Sequence, residues 1–537
     1  MERQGATLEV DEGVDVLASR VLVLLAQAAA AALVEPAVAA EPAAAVSAPV
    51  AATPSETTSP ATDAWAHDAL TRALAASREI EDPFHRAQAL AEIAEAAVAI
   101  GEIELARTNL TQAEAEAGRV SEDALRAWAL HDLAMARIKA NDLAAAETTA
   151  DAIRDARLRD IVLAAVVDAR RGARDVPGAL ASARRIQDSA RQGMSLRSVA
   201  LLQVANGDIS GALATARSIS HAQANALAVG DVAAAIARDG GTVEARLLAG
   251  RIRDNAGRSR AFVEIAAAQA GNGDILGARE ALEHVSDKLD HAEAQARIAA
   301  VRSELAPNEA RAMFAQAVAA ANGARAPLSR KCETLVEIAR GQVVAKSHAD
   351  ALATLKQVLA RLRDLKKESD RLTLLSRIAP LQARAGDFTG AFDTAMRADD
   401  PSLRPLLVRD IAAYQVEQGD AAGALEAARN LNDRPAAAAA FFGILRAQVQ
   451  TQDKAGMHAT LADVLSSVRT LRSPELRAGA LGSLAAAQVL DGNMDAARAT
   501  FAEAMTTAAG ADRGQQQTAV YVRIADALAN RRGTVAE

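Results

Sequence analysis

The chain has 537 residues, half of them hydrophobic and only 2% aromatic, with a formal net charge of −8. That length exceeds what one compact core holds, so several domains or one extended repeat array is expected, and the apolar fraction excludes a wholly disordered protein. Most of the apolar content is Ala with Leu, Val and Ile, and long alternating β patterns are absent, which together favour closely packed α-helices.

Charge is unevenly placed. Residues 1–62 hold eight acids and two bases, giving −6 and leaving −2 for residues 63–537. A near-neutral body lacks the basic footprint of a nucleic-acid binder, so no nucleic-acid partner is expected. Cys332 is the single cysteine, which excludes an intramolecular disulfide and a Cys-based zinc site.

In chain order, the first feature is the uncharged run VLVLLAQAAAAALV at 21–34, after Arg20. It is too short for a membrane span but has the length of a signal-peptide core, and AVAAEP at 37–42 offers cleavage after Ala39 or Ala40. Residues 1–40 therefore read as a signal peptide, implying a periplasmic or secreted protein with no transmembrane helix in the mature chain. The acidic first 19 residues are wrong for such a leader; a start codon assigned too far upstream, with Val14 or Val16 as the true first residue, reconciles the two. If the segment is no signal, the protein is cytoplasmic. Residues 41–62 are rich in Ala, Pro, Ser and Thr and read as a disordered linker, with the folded body at 63–537.

The body repeats. NGDISGALATA (206–216) has counterparts in NGDILGA (272–278), AGDFTGA (385–391) and QGDAAGA (418–424). Twelve such turns can be aligned, mostly 33 or 40 residues apart, the mark of a helical solenoid. Each unit reads as a helix A ended by Gly207 or its equivalent and a helix B started by Asp208, with Ala212, Ala216 and Ile219 on the buried stripe. Before the first unit, ALTRALAASREI (69–80) reads as a lone helix B; after the last, TAVYVRIADALANRR (518–532) reads as a lone helix A, each capping an open end.

A small residue recurs in helix A (Ala94, Ala134, Ala200, Ala266 and others, nine of twelve units) and again twelve residues later in helix B (Ala106, Ala146, Ala212 and others, eleven of twelve). In this the chain resembles the tetratricopeptide repeat family over nearly everything after residue 62. The resemblance implies an all-α fold, a right-handed α-solenoid of about twelve antiparallel helix pairs with capping half-repeats. The family's aromatic residue near the start of helix A is mostly Leu here, its late Tyr is missing and its closing Pro is rare. Unit length tracks one side chain, four residues after the helix B Ala. Short units have Ala there, as in Ala216, and long units have Leu110, Phe314, Leu355 or Leu461, with Phe501 in the final unit and Leu282 as an exception. Seven extra residues are about two helical turns, so the long units should have longer helices needing bulkier contacts.

Little in the sequence points to catalysis. The Gly-Asp turn lacks the Lys and Ser/Thr of a phosphate-binding loop. His284, Asp287 and His291 would share a face of a continuous helix and could ligate a metal, but they straddle a helix junction where Asp serves as a cap. The recurring I-x-D-x-x-x-R, as at 153–159 and 252–258, reads as capping by Asp155 and Asp254 with the Arg pairing across units. No cofactor is expected, and the chain does not read as an enzyme.

The resemblance places helix A on the concave face, with outward positions one residue after and three before its small residue. These include His131, Met135, Arg197, Leu201, Val336, Arg340, Arg409, Phe442 and Arg446. A groove with several Arg and few carboxylates would suit an extended or acidic peptide; the alternative is that these residues simply fill a narrow superhelix. The expected function is a protein–protein interaction scaffold of a bacterial periplasm. The alternatives are a cytosolic regulatory or sensor protein and a component of an envelope or polysaccharide-export assembly.

Overall fold

The computed structural model describes residues 60–529. The signal-like stretch 1–40 and all but the end of the linker 41–62 lie outside them. Among the described residues there are twenty-six α-helices and no strand. The first, α1 (Pro60–Ser77), begins inside the stretch read as linker, because Pro is tolerated in a first helical turn. Twelve A/B pairs follow, from α2 (Pro83–Ala99) and α3 (Ile103–Arg119) to α24 (Pro474–Leu490) and α25 (Met494–Ala509), and then the final helix α26 (Gln515–Ala529).

Unit length resides in helix B. The A helices have 15 or 17 residues throughout. The B helices of short units have 8 to 10 residues, as in α9 (Ile209–Ser218), and those of long units 14 to 17, as in α3. The bulky side chains expected of long units are buried, Phe314 and Leu355 most deeply. Leu282 is buried too, as the last residue of the shortest B helix, Ile275–Leu282.

The turn at 206–216 shows how a unit is built. Gly207 takes φ +79°, so the chain leaves α8 (Ser189–Ala205) through a left-handed residue. Asp208 then accepts the Gly211 amide at 2.8 Å as the cap of α9. That carboxylate occupies the place a phosphate would need. The buried Gln203 joins the two helices: its Oε1 accepts from Thr215 Oγ1 at 2.7 Å and its amide reaches Asp208 at 3.4 Å. A Cβ on Gly211 would stand 1.9 Å from Asp208 Oδ2 and 2.6 Å from Gln203 Nε2, which is why the position is Gly.

The Gln–Thr link recurs as Gln342–Thr354 at 2.9 Å and Gln382–Thr394 at 2.6 Å. Gln415 makes only half of it. Its amide holds Asp420 at 2.7 Å, but its buried Oε1 has no donor, since Ala427 stands where the Thr would be. Ala427 is half-buried, leaving room for a hydroxyl. Ala427→Thr is therefore expected to stabilise the protein by about 0.5–1 kcal/mol, a hydrogen bond gained less a small helix-propensity cost, measurable by denaturant titration.

The capping carboxylates also set an acid limit. The Gly211 amide holds Asp208 below its ordinary range, as the Gly178 amide and then Arg170 do for Asp175, and the Gln415 amide and then Gly423 for Asp420. Their folded-state acidities are lowered, so their stabilisation is present above the ordinary value of 3.8 and is lost as pH falls below it.

Successive A helices pack directly on one another, whereas successive B helices meet mainly through ion pairs between long side chains, such as Arg246–Glu280 at 2.5 Å and Arg469–Glu503 at 2.6 Å. The A layer is therefore the inner one. The two ends of the array then meet. α26 packs on α24 as the next A helix would, and its other side packs on α1 and α2. Trp65 of α1 stacks on Phe501 of α25, ring centroids 5.0 Å apart and 10° from parallel, and Ile80 lies against Gly514 at the start of α26. The lone helix A and the lone helix B do cover apolar end faces, but they cover each other's. Together they form a thirteenth unit whose halves come from opposite ends of the chain, and the array closes on itself.

Candidate functional site

The inner wall formed by the A helices is the candidate site. The sequence-selected residues divide by register. Those three before the small residue lie at the joint between neighbouring A helices: Val336, His131 and Phe442 are buried, and the side chains of Arg409 and Arg197 are 13% and 21% exposed. Those one after it face outward more, except Arg446. Leu201 is exposed, Met135 half-buried, and the Arg340 and Arg446 side chains are 45% and 20% exposed. Side-by-side packing of the A helices turns the first column into the seam between units.

The expectation of few carboxylates is corrected by the column next to these two. Two residues before the small residue stand Glu92, Asp132, Asp231, Glu264, Glu337 and Asp410. The candidate Arg residues pair with them: Arg197 with Asp231 at 2.6 Å, Arg340 with Glu337 at 3.3 Å, and both Arg409 and Arg446 with Asp410, at 3.0 and 3.6 Å. Glu264 is held by Arg297 at 2.7 Å, and Arg377 reaches back to Glu337. Most of these pairs join one unit to the next, so the wall is a belt of inter-unit ion pairs rather than a row of free guanidiniums. The signal was legible as an acidic residue two before the small one in six of the twelve units. Burial raises Asp231, and Arg197 partly offsets that rise.

His131 is tied into the wall. Its Nδ1 lies 3.0 Å from the Asp132 carboxylate, whose other oxygen accepts from Gln88 at 2.7 Å, and its ring meets Trp128 edge-on. A carboxylate only accepts, so Nδ1 carries the proton.

His284, Asp287 and His291 do not share one helix. His284 stacks on Phe262 with centroids 4.5 Å apart, while Asp287 caps Lys288–Arg302 by accepting the Leu289 and Asp290 amides at 2.8 and 3.1 Å and also pairs with Arg330. Among the described residues no group of three His, Cys, Asp or Glu is arranged to hold a metal. In the I-x-D-x-x-x-R motif, Asp155 and Asp254 do cap helices. The Arg does bridge the junction between units, but its partner is corrected: instead of an ion pair, Arg258 of one helix A donates to Ile252 O at the end of the preceding helix B at 3.2 Å, and Arg86, Arg126 and Arg477 repeat the bond to the carbonyl six residues back. Carbonyls at a helix C-terminus lack intrahelical donors, and a cation there also meets the dipole favourably.

The described chain is thus an all-α helical-repeat solenoid, closed end to end. No family profile matches it, and no curated protein does. Among solved structures it is similar to Ton1535 from Thermococcus onnurineus NA1 (13% identity, 64% of this chain and 97% of that one, TM-score 0.23). It is similar also to the APC/C hetero-tetramer Cut9–Hcn1 (12%, 83% and 96%, TM-score 0.24) and to a circular tandem repeat protein with novel repeat topology (15%, 83% and 97%, TM-score 0.18). Superpositions this loose carry no argument about function. No described helix is long and apolar enough to cross a membrane.

Proposed function

We propose that the chain is a non-enzymatic scaffold of tetratricopeptide-repeat type that binds partner proteins along the inner wall of its closed array. The observation that supports this reading is the wall itself, where exposed Met194, Leu201 and Leu406 sit among a belt of mutually paired charges. Apolar side chains ringed by satisfied polar ones are the pattern of a protein interface. The paired Arg residues favour a mixed partner surface over a purely acidic peptide, because an incoming carboxylate would have to displace Asp231 or Asp410. Export to a bacterial periplasm, with residues 1–40 removed, fits the sequence of that stretch. A cytosolic regulatory or sensor role, or a place in an envelope or polysaccharide-export assembly, are the alternatives.

A photo-crosslinking residue at Leu201 or Leu406, with one at the exposed outer Leu276 as control, tests the binding face. Capture of a common partner at both inner positions and not at Leu276 is expected. Capture at Leu276 alone would place the interface outside and overturn the reading. N-terminal sequencing of the mature protein tests export separately: an intact acidic start contradicts it.

A further inference from the structure

We propose that the joint where α26 meets α1 and α2 is an acid-strengthened latch, in which Asp526 of the closing helix faces Glu95 across the joint, so that the array closes more firmly as pH falls. The inference rests on closure of the array and is independent of the partner or the compartment.

The geometry carries it. Every A-to-A joint inside the array is made by covalently consecutive units, whereas α26 is held to α1 and α2 by side-chain packing alone. The joint is apolar at its core, with Val520, Tyr521, Ile524 and Leu528 of α26 buried against a neighbourhood that includes Leu70 of α1 and Ile93 of α2. Asp526 sits on this helix. The charged groups around it are Glu95 on α2, Lys139 at the end of α4 (Asp123–Lys139) and Arg523 on its own helix. Both cations are already engaged: Lys139 pairs with Glu95, and Arg523 approaches Glu475 of α24 at 3.9 Å. α1 and α25 meet at the joint through the Trp65–Phe501 stack. Among the described residues Asp526 has no hydrogen-bond or ion-pair partner. Closure therefore brings together two carboxylates, with Asp132 acting on Glu95 as a third, around one shared ammonium.

The consequence has a definite sign. Burial and then Glu95 push the Asp526 carboxyl from its ordinary 3.8 up to about 6, and burial also raises Glu95. With the joint open, Asp526 regains its ordinary acidity. Below pH ~4 it is protonated in both states and closure is at full strength. As pH rises from ~4 to ~6 the open state ionises first, so closure weakens; above ~6 the weakening levels off. Between pH 7 and pH 5 closure should tighten about tenfold. This window lies above the range in which the capping aspartates begin to protonate, so the two effects separate.

Hydrogen exchange of the full chain, corrected for intrinsic rates, tests the latch at pH 5, 6 and 7. Segments 60–77 and 515–529 of the wild type should gain about tenfold protection from pH 7 to pH 5, while 156–172, within the array, should not change. Asp526→Asn should be well protected at the joint at every pH. The same pH response in Asp526→Asn as in the wild type, or a joint that loosens at pH 5, would overturn the proposal. Should that variant fail to fold, Glu95→Gln decides by the same measurement: with Glu95 neutral, Lys139 is left to Asp526, so the gain in protection from pH 7 to pH 5 should fall well below tenfold, and an undiminished gain would refute the latch.

Discussion

Ending the chain at Gly510 is expected to unfold α1 as well as to remove α26, although the two lie at opposite ends of the sequence. α26 buries Val520, Tyr521, Val522, Ile524 and Leu528 between α24 and the first two helices, and α1 packs chiefly on α26. At about 1.5–3 kcal/mol per fully buried large apolar side chain, the loss is on the order of 10 kcal/mol, an upper bound because the unfolded chain is itself partly compact. α1 retains only its flank on α2, and a helix of this size is marginal without tertiary packing. The measurable result is rapid hydrogen exchange over 60–77 together with self-association, since the apolar faces of α2 and α24 that pack on α26 are uncovered. An α1 as protected in the truncated chain as in the whole one would mean that it stands on α2 alone.

The second large effect is expected at Gly443. α20 (Leu403–Glu417) and α22 (Arg434–Gln450) approach so closely there that a Cβ on Gly443 would lie 2.2 Å from the Arg409 carbonyl oxygen and 3.0 Å from its carbon. The obstructing atoms are backbone, so no rotamer relieves them; the two helices must part. Gly443→Ala is expected to cost about 3 kcal/mol or more, despite the better helix propensity of Ala. Gly479 of α24 is the control. Its Cβ would meet the Arg523 side chain at 3.5 Å, an ordinary contact, and Gly479→Ala should be neutral or stabilising by up to about 1 kcal/mol. Denaturant midpoints of the two variants separate backbone obstruction from propensity, and equal effects would contradict the close approach.

The repeat was legible because it rests on local chemistry stated many times over. Gly207 at a left-handed turn, Asp208 as a cap and Ala212 at a helix crossing are each fixed by neighbours within a dozen residues. The longer B helices of Leu110 and Phe314 were legible for the same reason: unit length and side-chain size changed together. Three features were harder to read. The Gln203–Thr215 link joins positions whose residue types vary among units, so its pattern is visible only once the helices are set side by side. The acidic column from Glu92 to Asp410 is present in the sequence, but the register that the resemblance implies is that of the neighbouring columns, and nothing in the spacing shows that Asp410 holds both Arg409 and Arg446. Closure was the hardest. Ala73 and Ala525 each fit a half-unit, and two halves make a whole, yet sequence order separates them by the entire array.

Closure is the claim on which the inner wall, the latch and the truncation all depend, and the distance between the two ends tests it most directly. With Cys332→Ser, spin labels at the exposed Thr71 of α1 and Gln516 of α26 report that distance by pulsed dipolar spectroscopy. Neighbouring helices pack with axes about 8–10 Å apart, so a closed array gives one narrow population below about 30 Å. An open superhelix of twelve units gives a broad distribution centred beyond about 50 Å, and that result would contradict closure.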